Sequence, residues 1–116
     1  MANSNKRAHY RILYSHGSQP IFECAQGKFL VLDVSESGFR FVIKTDQTVR
    51  FNENMVLDGK IIFPEKRGFV RIKGKVLRAT AREVAAILDE GNLIPLSKIM
   101  EEQRILIKKG KLSMSS

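Results

Sequence analysis

Residues 28–43, "KFLVLDVSESGFRFVI", hold two short apolar runs on either side of a polar turn. In "GFRFVI" (38–43), Phe39, Phe41 and Ile43 share one face while Arg40 and Val42 share the other, the period of a half-buried strand. "KFLVLDVS" (28–35) is equally rich in β-formers. Between them "DVSESG" (33–38) begins at the end of one strand and closes on the glycine that opens the next. Asp, Ser and Gly are turn residues, because short polar side chains bond local backbone and glycine accepts positive φ. The same turn is also a platform, since Asp33 and Ser35 lie two apart and project from one side of the strand end.

The segments around this hairpin read the same way. "PIFEC" (20–24) precedes it across "AQG" (25–27), a hairpin turn. "MVLDGKIIF" (55–63) and "FVRIKGKVLRA" (69–79) flank "PEKRG" (64–68), whose proline and glycine mark a tight reversal. In the second of these, Val70, Ile72 and Val76 share a face and Arg71, Lys73 and Lys75 the opposite one. "KTDQTVRFNEN" (44–54) is a loop with a little strand around Val49 to Phe51, and "EVAAIL" (83–88) is a last short strand whose alanines would also suit a helix. Then the period changes: Leu96, Ile99, Met100, Gln103, Leu106 and Ile107 fall at helical spacing, with Pro95 near the start and Gly110 past the end. Many short strands and one amphipathic helix predict a mainly all-β domain, a small antiparallel barrel with a C-terminal α-helix packed against it. The expected divisions of this single domain (1–116) are an N-terminal arm at 1–12, a barrel at 19–90 and a helix at 94–109.

Composition narrows the function classes. The chain has 116 residues, 43% of them apolar, enough for one core without staples. Its single cysteine, Cys24, cannot form an internal disulfide, which suits a reducing compartment, and the N-terminal residues contain no apolar leader. Twenty basic against 12 acidic residues leave a formal charge of +8, which favours an anionic partner. Nothing argues for catalysis: His9, His16 and Cys24 are too few and too ill-spaced for a zinc site. "GFVRIKGK" (68–75) misses the spacing of a phosphate loop and is followed by Val76 in place of serine or threonine.

The arm contains "KRAHYR" (6–11), with Arg7 and Arg11 four apart. With "DVSESG" downstream, the chain resembles the PilZ domain family of bacterial cyclic di-GMP receptors, whose pattern is RxxxR in an N-terminal loop followed by [D/N]xSxxG. Both halves are present in order, at the separation the family keeps. The resemblance implies a six-stranded antiparallel barrel, commonly with a C-terminal helix, and a non-catalytic receptor that needs no cofactor or metal.

It also implies roles. Arg7 and Arg11 match the arginines that grip phosphates and guanine edges, for which planar guanidinium is suited. Asp33 and Ser35 match the acid and hydroxyl, the carboxylate accepting from guanine N1–H and N2–H₂. Gly38 matches the glycine, where a side chain would crowd the ligand or block the turn. Arg78 aligns with a position that can stack on guanine, and Lys6 adds charge beside the first arginine.

The resemblance further implies a cytoplasmic bacterial protein, monomer or homodimer, whose 1–12 arm orders on the nucleotide and whose signal passes to a protein partner in motility, exopolysaccharide or biofilm control. The last strand departs from the family by carrying alanines where glycine and phenylalanine are common. Two other readings stay open: a PilZ-like interaction module that binds no nucleotide, and a small nucleic-acid-binding barrel. The second is the least favoured, because Phe39 and Phe41 alternate as core residues do.

Overall fold

The computed structural model describes residues 11–108. Among these residues seven strands occur in chain order: β1 Arg11–Leu13, β2 Ile21–Cys24, β3 Gly27–Ser35, β4 Gly38–Val42, β5 Val56–Ile62, β6 Phe69–Ala79 and β7 Glu83–Leu88. A single 3₁₀ turn at Glu90–Asn92 leads to the helix α1, Leu96–Lys108. Six of the strands close into an antiparallel barrel in the order β2–β5–β6–β7–β4–β3 and back to β2, and β1 adds to the end of β3. "EVAAIL" is a strand, and the "AQG" and "PEKRG" turns join the hairpins β2–β3 and β5–β6.

The alternating apolar residues meet inside the barrel. Phe22, Phe29 and Phe41 are fully enclosed, with Phe39 and Phe51 beside them. Most neighbouring rings pack edge-on or tilted, with centroids 4.9 Å apart for Phe22–Phe39 and 5.2 Å for Phe29–Phe41, while Phe39 and Phe41 stack. Each such side chain contributes about 1.5–3 kcal/mol by leaving water. The strand expected around Val49 to Phe51 does not form. Both edges of every barrel strand near it are already paired, so Phe51 reaches the core from a loop, with its ring 5.2 Å from that of Phe41.

The helix starts at Leu96 rather than at the expected residue 94. Its first backbone bonds, from the Lys98 and Ile99 amides, go to the Pro95 carbonyl, and residue 109 lies outside the described part. Its buried face also differs: Ile99, Glu102 and Leu106 are enclosed, while Leu96, Met100 and Ile107 are exposed.

Glu102 is accommodated by an ion cluster. Arg67 donates to it through Nε (2.6 Å) and Nη2 (3.1 Å), and Tyr14 donates its hydroxyl at 3.1 Å. Lys98 Nζ bonds the Arg67 carbonyl and sits 4.6 Å from the Phe63 ring centre. The β5–β6 turn presents Arg67 after two left-handed residues, Glu65 and Lys66. Helix, hairpin and the segment after β1 are thereby fastened at one point. The arm boundary moves as well, since Arg11 and Ile12 pair with Ser35 and Val34, and Ile12 is core. Among the described residues no helix is long and apolar enough to cross a membrane.

Glu102→Ala would leave the largely enclosed Arg67 guanidinium with only the exposed Glu65 as a carboxylate partner, so it should cost about 3 kcal/mol in urea unfolding. Burial and then Glu102 push the Tyr14 hydroxyl well above its usual 10.0. The fold therefore favours the neutral phenol, and this stability is full below pH 10.0 and lost as pH rises beyond it. Tyr14→Phe should flatten that alkaline loss in a pH series of unfolding midpoints.

Candidate functional site

Two strand irregularities shape one side of the barrel. In β3 the inward residues are Phe29 and Val31, and strict alternation would send Asp33 inward too. A bulge against β4 between Val31 and Asp33 shifts the register, so Val34 enters the core and Asp33 lies opposite Arg40. In β6, Ile72, Gly74 and Val76 face inward, and alternation would bury Arg78. A second bulge, between Val76 and Arg78, adds Leu77 and turns Arg78 outward. Bulges re-aim side chains in this way. Here each one keeps a charged residue out of an aromatic core.

Both charges then border one open cavity of about 300 Å³. Of the residues singled out in the sequence, Arg11, Asp33, Ser35, Gly38 and Arg78 all line it; Lys6 and Arg7 lie outside the described residues. Asp33 is 3% exposed and is held by Arg40, whose Nε and Nη2 each lie 2.7 Å from Oδ2. Arg40 Nη1 also donates to Glu83 at 2.8 Å. The hydrogen bond to Asp33 is the main influence raising the Arg40 pKa, so the guanidinium is permanently charged. Arg11, largely exposed, stands 4.0 Å from Asp33 Oδ2. With three arginines and one carboxylate on its wall, the cavity suits an anion that also offers hydrogen-bond donors.

The turn beneath is braced by hydrogen bonds. The Leu88 and Ile94 amides bond the Ser37 and Glu36 carbonyls, and Ser35 donates its hydroxyl to the Gly38 carbonyl at 3.2 Å. Gly38 serves strand packing here: a Cβ would collide with the Ala86 carbonyl oxygen across β4 and β7. Its φ is not left-handed, so the constraint is close approach rather than turn conformation.

Arg40 is the residue that sequence reading missed, having been assigned only to an outward strand face. The hairpin register carried the signal, because antiparallel strands flanking the turn place residue 40 opposite residue 33. Leu77 and Ile87, which add apolar wall, had no comparable signal. Arg40→Ala should destabilise the fold by about 3 kcal/mol, since it leaves the enclosed Asp33 with only the distant, exposed Arg11. Arg78→Ala, at an exposed position, should stay within about 0.5 kcal/mol. Denaturant unfolding of the two variants measures the contrast.

The sequence matches no family model and no curated protein. The fold does have a solved counterpart. The PilZ domain of YcgR from Escherichia coli, solved with c-di-GMP, superposes with a TM-score of 0.58 over 90% of this chain and 91% of that one, at 14% identity. The barrel with its C-terminal helix is therefore a PilZ-like fold.

Proposed function

We propose that the protein is a non-catalytic receptor for cyclic di-GMP that acts in the bacterial cytoplasm through a protein partner. The observation carrying this reading is that Arg11, Asp33, Ser35, Gly38 and Arg78, far apart in sequence, border a single cavity on a PilZ-like barrel. The motif order of the sequence and the c-di-GMP held by the YcgR domain support the same ligand.

In this reading Arg11, with Arg7 and Lys6 ahead of it, meets the phosphates and guanine edges, and Arg78 stacks on a base. Asp33 keeps acceptor capacity while bound to Arg40, because a carboxylate has about four lone-pair sites. That capacity faces guanine N1–H and N2–H₂, a donor edge that no arginine can satisfy. Ser35 and Gly38 shape the floor: the hydroxyl braces the turn, and the missing Cβ lets β4 lie close to β7.

Isothermal titration with cyclic di-GMP, and an oligonucleotide as control, tests the reading. Arg7→Ala or Arg11→Ala should weaken binding about 10- to 150-fold, the worth of charge-assisted hydrogen bonds of about 1.5–3 kcal/mol. Asp33→Ala makes the site more positive, so recognition by charge alone would be unharmed or improved, whereas guanine recognition should be clearly lost. Wild-type affinity in both arginine variants, or tighter binding by Asp33→Ala, would overturn the proposal.

A further inference from the structure

The hollow continues beyond Arg78. A second cavity of about 310 Å³ is lined by Glu53, Arg78, Ala79, Thr80, Glu83 and Ala85, so Arg78 and Ala85 form a wall common to both. Its two carboxylates come from different elements, Glu53 from a turn whose backbone is fastened and Glu83 from β7. Glu53 lies in the turn before β5, which is fastened to β6 just ahead of the Leu77 bulge. There the Asn54 amide bonds the Val76 carbonyl at 2.8 Å, and the Val76 amide bonds the Met55 carbonyl at 2.9 Å. Asn54 has a φ of 69°, a left-handed conformation that asparagine tolerates well. Glu83 is held by Arg40 Nη1, and its own amide bonds Thr80 Oγ1 at 3.1 Å. Arg40 thus bonds the carboxylate of each cavity, Asp33 in the first and Glu83 in the second.

The two adjoining cavities therefore present acceptor, cation and acceptor in succession: Asp33, then the arginines, then Glu53 and Glu83. The complementary ligand alternates donor edge, anion and donor edge. A guanine offers two adjacent donors, N1–H and N2–H₂, to a carboxylate. Adenine instead sets a lone pair at N1 against it.

We infer that the second cavity reads the second guanine of the same cyclic dinucleotide, with Glu53 as its acceptor and Glu83 as a positioning residue tied to Asp33 through Arg40. The inference rests on the proposed cyclic di-GMP function and adds a recognition element outside both sequence motifs.

The test compares cyclic di-GMP with the hybrid cyclic dinucleotide carrying one guanine and one adenine, by titration into the full chain. The wild type should prefer cyclic di-GMP by roughly tenfold, the order expected when a hydrogen bond to a charged acceptor is lost. Glu53 is exposed, so Glu53→Ala should keep the wild-type unfolding midpoint. That variant should lose roughly tenfold for cyclic di-GMP and less than about twofold for the hybrid, bringing the two affinities together. Removing a carboxylate favours any purely electrostatic binding, so a selective loss reports the base contact. A Glu53→Ala protein that keeps the wild-type preference, or weakens both ligands equally, overturns the inference. A wild type that binds cyclic di-GMP but does not discriminate the hybrid overturns it too, while leaving the proposed function intact. A wild type that binds neither overturns both.

Discussion

The ion pair between Asp33 and Arg40 is the constraint around which the open side of the barrel is organised. An aspartate at 3% exposure has lost nearly all its water, and the attraction of a well-placed guanidinium offsets that loss. The hairpin register sets Asp33 opposite Arg40, the β3 bulge beyond it reconciles that register with the inward Phe29 and Val31, and Glu83 takes the remaining reach of the same guanidinium. One arginine so aligns residues from β3, β4 and β7 before any ligand arrives. Preorganisation of this kind would lower the cost of binding the proposed nucleotide, because the groups proposed to recognise it are already ordered.

A second enclosed carboxylate, Glu102, shows the opposite use of the same physics. Arg67 is only 10% exposed and Tyr14 is buried, so this cluster is sealed and its contribution is to hold the helix on the barrel. The Asp33 cluster opens on a cavity, with the Arg40 side chain one-third exposed and that of Arg11 at 62%. The two are linked through one short segment. Tyr14 follows β1, whose first residue is Arg11, so the strand that faces the cavity at one end is fastened to the helix at the other.

Much of this architecture was legible because it is local. Alternation in "GFRFVI" and in "FVRIKGKV" set which side chains would be inside, and the structure buries Phe39, Phe41, Ile72 and Val76 accordingly. The turns at 25–27 and 64–68 followed from glycine and proline chemistry. The helix was legible in its existence but not in its buried face. An apolar count puts Leu96, Met100 and Ile107 inward with Ile99 and Leu106, whereas the third residue enclosed is Glu102, whose arginine partner lies 35 positions earlier. Periodicity cannot see a charge that becomes buriable only through a distant partner.

The sequence by itself determined the strands, the hairpin carrying Asp33 and Ser35, and the set of residue types from which an anion site could be made. These depend on near neighbours in the chain, whose spacing is visible in one dimension. The tertiary structure alone decided how those residues converge. Closing the barrel chose which strands are neighbours, and that pairing required the bulges that turn Asp33 and Arg78 away from the phenylalanine core. It also made Gly38 a matter of clearance from the Ala86 carbonyl and set Arg40 between Asp33 and Glu83. A one-residue register shift moves a side chain across a sheet, and only the partner strand fixes where that shift falls.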